Sequence, residues 1–164
     1  MRPVGRCGES LSRAAGQAKP GTCDFVGFTH YGGRSREGRY RLKRRTSRKK
    51  FTARMHRVTE WIRTHRTRPI AEWMAALNQK LVGYYHYYGL TDNRPRLDAF
   101  LAQARRMLFK WLNRRSQRAG FDGAGFEQVL RHYPLTPPRI WVNIQDLRHP
   151  SRYLTHAVPG SRVR

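Results

Sequence analysis

A change in hydrophobic periodicity constrains the fold of this chain more than any other feature. From residue 51 to residue 112, apolar side chains recur at intervals of three and four, which is typical of amphipathic helices. The preceding stretch contains a run of aromatic and β-branched residues (25–31) and a run in which apolar and basic residues alternate (39–46), both typical of strands. The pattern predicts a mainly α fold in which an N-terminal β-hairpin leads into a bundle of three to four helices.

The predicted hairpin begins with a run of aromatic and β-branched residues from Phe25 to Tyr31. A loop with glycines at 32, 33 and 38 follows, where positive φ angles are expected. A second extended run, residues 39–46, alternates apolar and basic side chains, so the hairpin is expected to have one apolar and one basic face.

Helix boundaries are predicted from residues that commonly cap or end helices. The four helices are expected to start after Thr46 or Ser47, at Pro69, after Asp92 or Asn93, and shortly before Phe126, and the last is expected to stop at Pro134.

The chain of 164 residues suits a single domain. Residues 1–21 are expected to be a flexible leader, 22–140 the folded hairpin and helices, and 141–164 an irregular tail. No apolar run approaches the roughly 20 residues of a membrane span, and the polar N-terminus lacks a secretory signal. A cytoplasmic location is therefore expected, with an organelle as the alternative.

Charge indicates the class of partner. The sequence holds 34 Lys and Arg against 10 Asp and Glu, a formal net charge of +24. Self-repulsion of this size opposes compaction, so a polyanion is expected to supply the missing negative charge. Since nothing in the sequence indicates a membrane, the pattern predicts a nucleic-acid-binding protein, with RNA as the preferred partner.

The densest basic segment lies between residues 34 and 50 and contains one acid, Glu37. A solvated charged face would usually mix signs, so contact with phosphates is the favoured interpretation. The predicted contacts are Arg34, Arg36, Arg39, Arg41, Lys43, Arg44, Arg45, Arg48, Lys49 and Lys50.

Two helical segments supply further candidates. Tyr84, Tyr85 and Tyr88 follow Lys80, and the rings of a tyrosine-rich helix end could either pack in the core or stack on bases. We expect burial for Tyr88 and contact with RNA for Tyr85. The end of the third helix adds cations and amides that could bind RNA or cap the helix: Arg114, Arg115, Gln117 and Arg118, together with Asn113 and Ser116.

No catalytic motif is recognisable in the sequence. Two-metal nucleotidyl transfer needs clustered carboxylates, whereas the acids here are scattered. Cys7 and Cys23 are too few for a zinc site, which needs about four ligands. We therefore expect no metal, no cofactor and no enzymatic activity.

Several blocks together resemble the C-terminal part of group II intron reverse transcriptase/maturases. They are Phe25 to Tyr31, the motif Leu77-Asn78-x-Lys80-Leu81-x-Gly83-Tyr84-Tyr85-x-Tyr87-Tyr88, the run from Lys110 to Gln117, and the ending Tyr133 to Ile140.

This resemblance implies a primer-grip strand with Phe25, Gly27 and Phe28, followed by a thumb-like bundle and the maturase-specific region, domain X. It places Asn78 and the tyrosines on a thumb helix, and it implies binding of intron RNA. The Tyr-x-Asp-Asp motif of the polymerase centre and the His-Asn-His endonuclease motif are absent from the sequence. The chain is thus expected to bind and stabilise intron RNA without catalysis. The alternatives are the thumb subunit of a split reverse transcriptase, which would engage a DNA primer–template or a separate fingers–palm polypeptide, and a relic of a degraded intron.

Overall fold

The structure, a computed structural model, describes residues 21–35, 37–115 and 120–144. The predicted leader up to residue 20, four candidate RNA contacts (Arg36, Ser116, Gln117 and Arg118) and most of the predicted tail lie outside this part. The described chain forms a three-stranded antiparallel sheet followed by four α-helices, so the predicted mainly α fold is confirmed.

The sheet contains β1 (Cys23–Phe25), β2 (Phe28–Arg34) and β3 (Tyr40–Thr46) in that order. The predicted first strand is divided by a two-residue turn at Val26 (φ 48°) and Gly27 (φ 82°). Positive φ angles at both positions are typical of the type I′ turn, whose twist suits a hairpin. A β-branched residue such as Val26 is rarely found in this region of backbone space.

The prediction of a loop with positive φ at Gly32 and Gly33 is wrong, because both residues lie in β2 and pair with β3. Gly33 instead provides space for a neighbouring side chain, since a Cβ there would lie 3.0 Å from Cδ of Lys43. Gly38, in the loop between β2 and β3, does have a positive φ of 74°.

The helices are α1 (Arg48–Thr64), α2 (Ile70–Tyr88), α3 (Arg94–Leu112) and α4 (Gly123–His132), with a 3₁₀ turn at Thr91–Asn93 before α3. Ser47 caps α1 as predicted, its side chain accepting the Lys50 N–H at 3.4 Å. Helix α3 ends at Leu112, before Arg114 and Arg115, which were predicted to lie in its last turn. The side chain of Asn113 binds both the N–H (2.7 Å) and the carbonyl (3.0 Å) of Phe121, which joins the end of α3 to the start of α4.

The hydrophobic core lies between α1, α2 and α3. Trp73 and Leu77 of α2 and Leu97 of α3 are completely buried, and the Tyr84 ring stacks on Phe100 with centroids 3.7 Å apart. Full burial of each large apolar side chain stabilises the fold by roughly 1.5–3 kcal/mol. This core fixes the position of α1 relative to α2.

A buried polar cluster, which we call the sheet–helix junction, joins the end of β3 to the start of α3. The Asn93 side chain accepts the Thr46 N–H at 2.7 Å and donates to Thr46 Oγ1 at 2.8 Å and to the Tyr88 carbonyl at 2.9 Å. Arg41 lies 3.0 Å from Asp92, with side chains only 12% and 6% exposed. Asn93 therefore does not cap α3 with its side chain, and it connects three elements instead.

Residues 134–144 run back along α2 as a strap. Near the middle of α2, Asn78 donates to the Pro134 carbonyl and accepts the Thr136 N–H, both at 2.9 Å. At the end of α2, the Gly89 carbonyl accepts N–H groups from Trp141 (2.8 Å) and Val142 (3.1 Å). The first residues of the predicted irregular tail are thus bound to α2.

Candidate nucleic-acid interface

A groove runs between α1 and α2, from the β1–β2 turn to Trp61, and we call it the α1–α2 groove. Cationic and aromatic side chains line it from both helices. Its volume is about 450 Å³ beside Trp61 and about 330 Å³ beside Val26 and Gly27. Both parts share four lining residues, Arg54, Arg57, Tyr87 and Tyr88, so they form one continuous feature.

Helical spacing creates this lining. Lys50, Arg54, Arg57 and Trp61 are separated by four, three and four positions, which places them on one face of α1 beside its buried face. On α2, Lys80, Gly83 and Tyr87 follow the same rule. Amphipathic helices that bury their apolar faces against one another therefore leave these two faces flanking a groove.

The lining of the groove is positively charged and contains no carboxylate among the described residues. Within α1 the one acid is Glu60, and Arg63 of the same helix binds it at 3.1 Å from Nε to Oε2. Burial raises the pKa of Tyr88, and the adjacent Arg54 acts in the opposite direction. Cations held together without an acid repel one another, which an anionic ligand would relieve.

Tyr87 presents the most exposed aromatic ring of the groove, with 54% of its surface accessible. It packs edge-on against Tyr88, lies parallel to Phe28 at 6.5 Å, and donates its hydroxyl to the Val26 carbonyl at 3.4 Å. Trp61 differs, because its ring stacks on His65 at 4.8 Å and has Lys80 over it at 4.9 Å. Tyr87 is therefore the ring best placed to stack on a ligand.

The predicted basic segment is divided by the structure. Arg34, Arg39, Arg45, Arg48, Lys49 and Lys50 are exposed, whereas Lys43 and Arg44 are partly buried. The first turn of α1 holds three of these cations and no acid, although the helix dipole favours acids there. The prediction that Arg41 binds RNA is wrong for this fold, because its buried guanidinium pairs with Asp92.

The structure also tests the predictions made for the tyrosines. Tyr84, Tyr85 and Tyr88 are only 6%, 1% and 3% exposed, so the expected burial of Tyr88 is confirmed and the expected contact of Tyr85 with RNA is wrong. The reason is that α2 packs on more than one side, as the adjacent buried pair Trp73 and Met74 also shows. Desolvation raises the pKa of Tyr84 to about 12 and also raises that of Tyr85.

Two of the other predicted contacts have partners inside the protein, and two are exposed. Both ends of the Asn78 amide bind the strap, and Arg115 donates to the Arg68 carbonyl at 2.7 Å, so neither is a free contact. Arg114 is exposed beside the Trp111 ring, and Lys80 is exposed at the groove. The primer-grip-like residues lie near the other end of the groove, where a Cβ on Gly27 would be 3.4 Å from the Tyr88 hydroxyl.

Phe25 and Phe28 differ in their surroundings. Phe25 is 67% exposed, whereas Phe28 packs edge-on against Tyr88 with ring centroids 5.3 Å apart.

Sequence reasoning did not select Arg54, Arg57, Gly83 or Tyr87 as contacts. The spacing of cations along α1, four and then three residues apart, is the signal that could have identified this face.

Metal-ligand clusters and membrane-spanning helices are both absent from the described part of the chain. Nowhere in residues 21–35, 37–115 and 120–144 do three or more His, Cys, Asp or Glu side chains cluster as metal ligands. Within the same ranges, no helix combines the length and the apolar character needed to cross a bilayer.

The helices that form the groove carry a family signature. A family model for the group II intron, maturase-specific domain matches residues 48–133, more than half of the chain. The chain belongs to this family. The matched region starts with α1 and ends just after α4, so it contains both walls of the groove except the β1–β2 turn. A maturase role in group II introns follows from this membership. Comparisons with curated proteins and with solved structures find no significant match.

Proposed function

We propose that this protein binds structured group II intron RNA and stabilises it in the form that splices. The observation that carries the proposal is the α1–α2 groove, where the described lining brings four cations and an exposed tyrosine ring together without a carboxylate. Family membership indicates the intron, and the charge of the groove supports RNA as its ligand.

The proposed mechanism is binding without chemistry. Arg and Lys side chains neutralise phosphates and release counterions, while an aromatic ring stacks on an unpaired base. A protein that binds one RNA fold more tightly than its alternatives shifts the population toward that fold. No catalytic step by the protein is needed for this effect, and we propose that the chain is not an enzyme.

The test is RNA binding measured as a function of salt concentration, with the full chain and a group II intron RNA. If about 6–10 phosphates are neutralised, log K should fall with log[salt] at a slope of roughly −4 to −7. Arg54→Gln together with Arg57→Gln should make the slope less steep by about 1.4, since each lost phosphate contact changes it by about 0.7.

The control is a second double variant, Arg94→Gln with Arg105→Gln. It removes the same charge from α3, where these arginines pair with Asp98 and Glu127. We expect little change in its slope. An equal effect of both double variants would show that net charge alone drives binding and would contradict a specific interface.

A second candidate function, the thumb subunit of a split reverse transcriptase, is favoured by one observation. Phe25 and Val26, next to the groove, are 67% and 60% exposed apolar side chains that a further polypeptide could cover. Primer extension with the purified chain should give no product with any divalent metal. Extension restored by adding a separate fingers–palm polypeptide would favour the split enzyme over the binding module.

A further inference from the structure

We infer that the α1–α2 groove accommodates a single-stranded segment of RNA, that Gly83 keeps the groove open for it, and that one base stacks on Tyr87. This inference rests on the proposed RNA binding and goes further by naming the form of RNA and the residues that admit it.

Among the described residues, no contact requires a glycine at position 83. It lies in the interior of α2, where glycine is less favourable than alanine. Apart from the backbone of its own helix, a Cβ at this position would have no atom of the described residues within 4 Å. At Gly89, by contrast, a Cβ would be 2.3 Å from the Tyr85 carbonyl oxygen, so packing alone explains that glycine.

The position of Gly83 in the groove gives a reason for the presence of a glycine there. It lines the α1–α2 groove between Lys80 and Tyr87, so a side chain there would occupy part of the space. The absence of a side chain leaves the groove continuous past the two arginines of α1. Glycine is unfavourable in the interior of a helix, so a ligand that passes over this position best explains why a glycine is found there.

The lining then identifies the ligand. Arg54, Arg57 and Lys80 surround the space with donors for phosphate oxygens, and Tyr87 offers an aromatic face. An A-form duplex offers a shallow minor groove and stacked bases, so it cannot place a base on a ring inside a cleft. A volume of about 450 Å³ lies in the range of sites for small organic ligands, which suits a nucleotide from an unpaired strand.

The experiment compares two leucine substitutions in the full chain, Gly83→Leu and Gly123→Leu. Gly123, in the first turn of α4, also has open space around it, since a Cβ there would have nothing within 4 Å, and it does not line the groove. Affinity is measured by fluorescence anisotropy for a 12-nucleotide single-stranded RNA and for a blunt RNA duplex, and folding by circular dichroism.

We expect Gly83→Leu to weaken single-strand binding at least 10-fold and to leave duplex binding and the melting temperature nearly unchanged. Gly123→Leu should change neither affinity. Gly83→Ala should raise the melting temperature and keep most of the binding. Tyr87→Ala should weaken single-strand binding by about 5- to 100-fold, whereas Tyr87→Phe should retain it.

The outcomes separate this inference from the proposed function. If Gly83→Leu binds single-stranded RNA as tightly as the wild-type protein does, the inference is overturned. The proposed function would still stand in that case if the arginine variants weaken binding. Equal loss of single-strand and duplex binding would refute the single-strand claim. Displacement of bound single strand by an acidic peptide at equal charge concentration would assign the groove to a protein ligand instead.

Discussion

The sheet–helix junction and the α1–α2 groove are both polar, and they differ in where their partners lie. In the junction, Asn93 makes three hydrogen bonds inside the protein and Arg41 meets Asp92. In the groove, Arg54 and Arg57 face no carboxylate among the described residues. The polar groups of the junction are paired inside the protein, whereas the cations of the groove have no carboxylate beside them among the described residues.

This contrast teaches that a basic residue cannot be assigned from the density of charge around it. Arg41 lies in the richest basic run of the chain and is structural. Arg57, on a helix that alternates cations with core residues, lies in the groove. The presence of an internal acid decides between the two roles, and folding alone determines which arginines obtain one.

The largest effect should come from breaking the buried ion pair. Asp92→Asn leaves the Arg41 charge buried without its partner, which should lower the free energy of unfolding by about 3–5 kcal/mol. Asp98→Asn is the control, because its exposed pair with Arg94 should contribute less than about 1 kcal/mol. Urea denaturation measures both, and a similar small loss in each would mean that the junction is not a structural pair.

Removing the Asn93 side chain should have the next largest effect. Asn93→Ala leaves the buried Thr46 N–H without an acceptor and removes one of the two hydrogen bonds to the Tyr88 carbonyl, which keeps the Leu90 N–H at 2.8 Å. The substitution should destabilise the protein by about 2–3 kcal/mol. Asn78→Ala, whose partners Pro134 and Thr136 are less buried, should cost about 1 kcal/mol. A larger loss of stability for Asn78→Ala would show that the strap contributes more to the stability of the fold than the junction does.

Alkaline pH offers a test of the tyrosines that line or adjoin the groove. Burial raises the pKa of Tyr84 from 10.0 to about 12, so the folded protein binds this proton more tightly than the unfolded chain. The stabilisation is present below pH 10 and is lost as pH rises from 10 through 12, by roughly 3 kcal/mol in all. Tyr84→Phe should flatten this decline in urea titrations at pH 9–12, and an unchanged profile would show that Tyr84 does not titrate this way.

The smallest effect on stability should come from the groove itself. Arg54→Gln with Arg57→Gln removes cations that pair with no acid in the described part of the chain, so the free energy of unfolding should change by less than about 0.5 kcal/mol. Thermal denaturation without RNA measures this change. A loss comparable to that of Asp92→Asn would erase the distinction between the two regions.

Much of the fold could be predicted from local patterns. The period of three and four located the helices, Ser47 marked the start of α1, and Pro134 marked the end of α4. The turn at Val26 could not be predicted, since a β-branched residue is disfavoured at positive φ. The division of the first strand therefore went unrecognised.

The site was harder to predict because its key contacts are distant in sequence. Arg41 meets an acid in the turn before α3, and Asn78 meets the strap 56 and 58 residues further along the chain. Charge made Arg41 look like an RNA contact, and the family resemblance did the same for Asn78. Tyr85 was misassigned because one helical face was expected to be buried, whereas α2 is covered over a wider arc.

The hydrogen bond from the Thr46 amide to Asn93 joins residues 47 positions apart. The two residues flank α1 and α2 in the chain, so this amide proton is shielded only when both helices are in place. Its exchange with deuterated water should then require global opening, as for the slowest amides of a cooperative domain. Any RNA that binds the folded form makes such opening rarer by mass action. The exchange rate of the Thr46 amide proton, which lies far in sequence from Arg57 and Tyr87, should therefore report how fully RNA occupies the groove.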